Sequence, residues 1–187
     1  MGLRLACDRI LMPRMVLPDH QIRYFCKKHA MVVPYSEDQL NPASYDVLLG
    51  DRLMIEVPEH RELQIYDING HTQDDPYWLQ PGEFVLAQTQ EMFNIPDCIA
   101  AQFVLKSSRA REGIEHLLAG FADPGFHGSV LTLELQNARR MHPVALWPGM
   151  KIGQLVFYEM AALPDVSYAQ KGHYNRDETV TASKGHL

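Results

Sequence analysis

Cysteine is scarce in this chain. Its 187 residues hold three, Cys7, Cys26 and Cys98, widely spaced and without a C-x-x-C pair. Neither a disulfide framework nor a structural zinc site is expected, and a reducing cytoplasm fits best. Long apolar runs are missing too. No stretch approaches the length of a membrane span, and the opening residues, broken by Arg4, Asp8, Arg9 and Arg14, lack the apolar core of a signal peptide. No membrane partner is expected. Nor is there an excess of positive charge: 17 Lys and Arg against 23 Asp and Glu leave a formal charge of −6, which gives no chain-wide field for nucleic acid. A local cluster of cations in such a chain calls for a local, small anionic partner.

What is present is a series of short apolar runs punctuated by Pro and Gly. The segments 53–57, 83–89, 100–105, 129–135, 142–147 and 152–158 are rich in β-branched, Leu and aromatic residues and are separated by turns carrying Pro81-Gly82, Pro96-Asp97, Pro124-Gly125 and Pro148-Gly149. That spacing predicts an all-β sandwich or barrel. Near the start, Asp19 is placed to cap a short helix with Ile22, Phe25, Cys26 and Ala30 on one face. The length suits one domain over 1–187. From residue 162 onward the chain turns polar and reads as a tail able to order over a ligand, or equally as simple disorder.

The densest polar cluster follows a predicted strand. In FVLKSSRAREG, Lys106, Ser107, Ser108, Arg109 and Arg111 bring three cations and two hydroxyls into six residues. Arg grips phosphate oxygens bidentately and Lys adds a point charge, so this is a candidate phosphate receptor. The same residues also fit a solvated helix face on which Arg109 and Arg111 pair Glu112 or Glu115. Downstream, Asp123 lies in the Pro-Gly turn of AGFADPGFHG. Glu134 interrupts a strand in which Leu131, Leu133 and Leu135 alternate with it, so it shares a face with Val130 and Thr132. Glu134 either faces water there or serves as a partly desolvated acid whose pKa is raised toward neutrality.

Six blocks in order, QLNPASYDVLLG, LQPGEFVLAQTQE, LKSSRAREG, AGFADPGFHG, LTLELQN and LWPGMKIGQLVF, resemble the dCTP deaminases of the dUTPase superfamily, over nearly the full length. The resemblance implies a β-clip, a distorted jelly-roll, assembled as a homotrimer with active sites between subunits. It places Glu134 as the general acid/base, Ser107 as a residue positioning water and base, and Arg111 as the arginine that contacts substrate and orients the carboxylate. Lys106 and Ser108 fall at triphosphate-contacting positions, Ala119 among the substrate-binding residues, and Asp123 at the deoxyribose 3′-hydroxyl. In relatives that also hydrolyse dUTP, the aspartate matching Asp123 activates the attacking water. Tyr168 and Tyr174 resemble the family's tail tyrosines, and Lys171 is placed to cover the phosphates. The chain departs from the pattern in several places. It is one residue short between Gly113 and His116 and one residue long between Gly128 and Glu134, which predicts a bulge beside Glu134. His173 stands for a usual Lys, and DETVTAS for a Gln-Gly-rich stretch.

The zinc-deaminase signature H-x-E…P-C-x-x-C is absent, so the expected chemistry at the base uses no zinc. Mg²⁺ is expected only through the substrate triphosphate. None of the nine His forms a metal set, and His116 reads as a local hydrogen-bonding residue. The leading functional expectation is deamination of dCTP to dUTP and ammonia. Second is a bifunctional enzyme continuing to dUMP and pyrophosphate, which the AGF-x-D turn resembles. A dUTP pyrophosphatase and a non-catalytic nucleotide-binding regulator on the same fold follow. Expected ligands are dCTP and dUTP, with dTTP a candidate inhibitor.

Overall fold

The structure is a computed structural model and describes residues 15–185. Cys7 and the charged opening residues Arg4, Asp8, Arg9 and Arg14 lie outside the described residues. The expected first helix, α1 (Asp19–His29), forms and buries Ile22 and Cys26 one turn apart. Asp19 does not cap it. Pro18 holds the N-cap position with extended backbone, and Asp19 stands inside the first turn, where its negative charge suits the helix dipole. Ala30, expected on the buried face, instead closes the helix in left-handed backbone, φ 50°, with its N–H on the Phe25 carbonyl.

Twelve strands follow: β1 (Val32–Val33), β2 (Leu40–Asn41), β3 (Ser44–Val57), β4 (His60–Asp67), β5 (Tyr77–Leu79), β6 (Phe84–Asn94), β7 (Ile99–Leu105), β8 (Ile114–His116), β9 (Phe121–Ala122), β10 (His127–Asn137), β11 (Val144–Leu146) and β12 (Lys151–Glu159). Two short helices complete the set, α2 (Ser107–Glu112) and α3 (Tyr168–Lys171). Each segment expected to be a strand lies in or overlaps one of these. Their alternation explains why. In β7, Ile99, Ala101 and Phe103 point into the core while Gln102 and Val104 are exposed, the period of a pleated strand covered on one side.

Ten strands make one curled sheet, with β8-β10-β6-β3-β12-β7-β9 as its path and β5 pairing β11 apart from it. Every pairing among the described residues is antiparallel. The long β3 turns the corner. One edge pairs β6 from Leu49 to Ile55, while the other pairs β12 with its first half and β4 with its second. The all-β architecture expected from the strand spacing is therefore present. Tyr45, Leu49, Leu53, Phe93, Leu135, Leu155 and Phe157, each 0% exposed, fill the interior, where every such side chain contributes about 1.5–3 kcal/mol. Among the described residues no helix is long and apolar enough to cross a membrane.

Candidate active site

The site is built on β10. Leu133 and Leu135 are 1% and 0% exposed and belong to the core, so Glu134 between them must point to the other face, along with Thr132. Its register partner on β6 is Leu86. The ladder between these strands is irregular at two places just upstream, between His127 and Ser129 and between Val130 and Thr132. At the first, Gly128 adopts φ 64°, backbone that glycine takes without strain. The extra residue before Glu134 is absorbed by these irregularities, and Glu134 stays in regular register facing a pocket.

That pocket has a volume of about 560 Å³. Its floor and apolar walls come from Leu63 of β4, Phe84 and Leu86 of β6, Phe121 and Phe126 flanking the Pro-Gly turn, and Val130 and Leu131 of β10. Ala119, Asp123, Thr132 and Glu134 add the reactive and polar edges, and the tail closes it with Tyr168, Tyr174, Asp177, Thr181, Ala182 and Ser183. The turn approaches β7 closely. A side chain on Gly120 would place its Cβ 2.8 Å from Phe103 Cβ and 3.0 Å from the Phe103 carbonyl oxygen, and the Phe103 N–H bonds the Gly120 carbonyl at 2.6 Å.

Glu134 is half-buried and meets His116, which β8 places opposite Leu135. His116 Nε2 lies 3.5 Å from Glu134 Oε2, and neither atom has a hydrogen-bond partner among the described residues. Distance alone makes the two an ion pair, but burial raises the Glu134 carboxyl and lowers the His116 imidazole, so both are pushed toward their neutral forms. The contact is a carboxyl beside a ring disfavoured from charging, which lies tilted against Phe103 with ring centres 4.6 Å apart. His116 Nε2 therefore does not make the local hydrogen bond expected from sequence.

The tail is fastened to this wall. The Val130 N–H donates to the Asp177 carbonyl at 3.0 Å and the Arg176 N–H to that of His127 at 3.1 Å. The His127 N–H donates to Asn175 Oδ1 at 2.9 Å, and Thr181 N–H to Thr132 Oγ1 at 3.2 Å. Val180, 3% exposed, inserts beneath it with its N–H on Gln88 Oε1 at 2.9 Å.

Of the residues singled out from sequence, Ala119, Asp123, Glu134, Tyr168 and Tyr174 line this pocket; Lys106, Ser107, Ser108, Arg111 and Lys171 do not. Ser107, Ser108 and Arg111 sit exposed on α2. Lys106 Nζ is held at 2.8 Å by Asp46, whose other carboxylate oxygen takes Lys151 at 3.0 Å. Burial opposes the charge on Asp46, yet the two lysines and Asn41 bring its pKa below the ordinary value. Arg109 pairs Glu112 at 2.6 Å, as the helix-face reading expects, but it is not solvated: it lies over the Trp147 ring at 5.6 Å with its side chain 19% exposed. Arg111 has no ion pair among the described residues. Sequence reasoning missed Thr132, Asp177 and the Thr181–Ser183 run as pocket residues. Thr132 was on the right face of the alternation, whereas the tail carried no periodicity to place it. Among the described residues no three His, Cys, Asp or Glu gather in a way that could hold a metal ion.

The family model described as dCTP deaminase-like matches residues 16–160. The dUMP-forming dCTP deaminases of Pseudarthrobacter chlorophenolicus and Streptomyces avermitilis are each 37% identical to this chain, over 92% of it and 96% of their own length. That of Dictyoglomus turgidum is 35% identical over 91% of this chain and 94% of its own. Among solved structures, the 2′-deoxycytidine 5′-triphosphate deaminase from Agrobacterium tumefaciens superposes with a TM-score of 0.62 at 20% identity, over 82% of this chain and 50% of that one. This chain thus spans half the length of that solved chain, and the likeness speaks to the fold alone. With a family model spanning most of its length and curated relatives matching it nearly end to end, the chain belongs to the dCTP deaminase-like family.

Proposed function

We propose that this protein converts dCTP to dUMP, releasing ammonia and pyrophosphate, and so carries out the second of the sequence-derived functions. The names of its curated relatives favour this reading over deamination alone. The observation that carries it is that, of the three carboxyl groups lining one pocket, Glu134 and Asp123 stand in unlike surroundings. Glu134 is half-buried beside a neutral imidazole, with its Oε2 unpartnered among the described residues. Asp123 is exposed at the Pro-Gly turn.

In deamination, water attacks C4 of cytosine, N3 takes a proton, and ammonia leaves. Glu134 takes the proton from the water and returns it to the base, for which a carboxyl with raised pKa is suited. Asp123 lies against the sugar and, in the second step, takes the proton of the water that attacks the α-phosphate of dUTP, with pyrophosphate as leaving group. A Mg²⁺ ion carried on the triphosphate supplies charge neutralisation there. Among the described residues no cluster could hold a metal ion by itself, so the Mg²⁺ would be held mainly by phosphate oxygens and water. The lining of the pocket holds Asp123, Glu134 and Asp177 but no Lys or Arg, and a triphosphate needs cations. The α2 cluster of a second copy, with Ser107, Ser108 and Arg111, answers that need and makes the working unit a homotrimer with sites between subunits. dTTP, with the same triphosphate and a pyrimidine, competes for the same pocket.

Timed incubation with dCTP and Mg²⁺, resolved by ion-pair chromatography with ammonia measured in parallel, tests the reading. We expect dUMP and ammonia in equal amounts. Glu134→Gln should lose deamination by about 10²–10⁴-fold while still forming dUMP from dUTP, and Asp123→Asn should lose dUMP from either nucleotide. Stoichiometric dUTP with no dUMP from the unmodified protein would return the reading to deamination alone.

A further inference from the structure

The tail contributes a charge that the sequence reading did not use. Asp177 lines the pocket, and with Asp123 and Glu134 it makes the ionisable lining acidic, an unfavourable surface for a polyanion. One cation of the same chain reaches this wall. Lys184 Nζ lies 2.6 and 2.7 Å from the two Asp177 carboxylate oxygens and 3.1 Å from the His173 carbonyl, and 5.2 Å from the centre of the Tyr174 ring. Its backbone is anchored as well, because the Lys184 N–H donates to the Tyr174 hydroxyl at 3.0 Å. Tyr174, Asp177 and Ser183, the residue before Lys184, all line the pocket. Lys184 lies just outside the lining that holds Asp177, and its side chain keeps 36% of its surface exposed against 17% for Asp177, which leaves the ammonium open to an anion at the pocket edge.

We propose that Lys184 is a phosphate-binding residue of this pocket, held ready by Asp177. The inference rests on the nucleotide reading above and adds a residue to it. An ammonium has three donors. Asp177 and the His173 carbonyl orient it, and phosphoryl oxygens take over one or more of these bonds while the stem stays against Tyr174. Asp177 then holds the ammonium only in the empty pocket, and competes with the phosphoryl oxygens for it. Its charge is neutralised by Lys184 in the empty pocket, so it does not repel the ligand on approach.

Isothermal titration of the full chain with α,β-imido-dUTP and with inorganic tripolyphosphate, for the unmodified protein, Lys184→Met, Lys184→Arg and Asp177→Asn, tests this. Lys184→Met should weaken both ligands about 10- to 100-fold, the range of one charge-assisted phosphate contact, and Lys184→Arg should recover most of that loss. Asp177→Asn removes an anion and releases the ammonium, so it should bind as well as the unmodified protein or up to about 5-fold tighter. If the pair is only a clasp holding the tail in place, Asp177→Asn falls together with Lys184→Met, and the proposal is overturned. Unchanged binding by Lys184→Met overturns it equally. Should the unmodified protein bind tripolyphosphate but not the deoxynucleotide, with the Lys184 pattern intact, the phosphate site stands and the nucleotide reading fails.

Discussion

Glu134 and His116 face each other in surroundings that disfavour charge on both. For Glu134 the consequence extends to stability. Its folded pKa is raised by burial, so its contribution to stability is full below the unfolded carboxyl value and is lost as pH rises through the folded value. Glu134→Gln, uncharged and of similar shape, should therefore melt with the unmodified protein near pH 4 and roughly 2–5 °C above it at pH 8. Thermal melts across that range check it; a variant less stable at pH 8 would mean that the carboxylate is held by a partner. This residue was legible in the sequence because a carboxyl between two core leucines on a strand can only face away from the core. His116 was not legible to the same degree. Nothing in its local sequence shows that β8 pairs back onto β10 and delivers the ring to Glu134.

At the scale of elements, the strands with strict alternation were readable and those without it were not. β7 from Ala101 to Val104 and β10 from Thr132 to Asn137 bury every second residue because one face meets the core. β4 escaped notice because both of its faces are largely exposed and its residues are mostly polar, leaving no period for the eye to find. The tail escaped for a related reason: its fastening depends on side chains 40 or more positions away, Thr132 and Gln88 among them. The turn carrying Asp123 depends on one small residue. Gly120→Ala pushes a Cβ against the Phe103 side chain and carbonyl and should cost about 1–3 kcal/mol, read as a lower urea midpoint at unchanged slope, with a parallel fall in turnover as the turn moves away from Glu134. A midpoint equal to that of the unmodified protein would show that β9 gives way freely and that the turn's position is set elsewhere.

For the whole molecule, the all-β class followed from strand spacing, the β-clip from resemblance, and the curling of the sheet from how β3 divides its partners between β12 and β4. The division of chemistry is the feature that composition alone could not show. One side of the chain holds an acidic pocket lined by Glu134, and α2 holds the exposed serines and Arg111 outside it. The homotrimer we propose joins the two across a subunit boundary. The direct test is complementation: co-express differently tagged Glu134→Gln and Arg111→Ala chains, isolate hybrids by sequential tag capture, and measure dUMP formed from dCTP. Each variant alone should be nearly inactive, and the captured hybrids should regain about a third of the unmodified activity, since any trimer holding both kinds of chain has one pocket in three that joins an intact Glu134 to an intact Arg111. Hybrids as inactive as their parents would contradict a site shared between subunits.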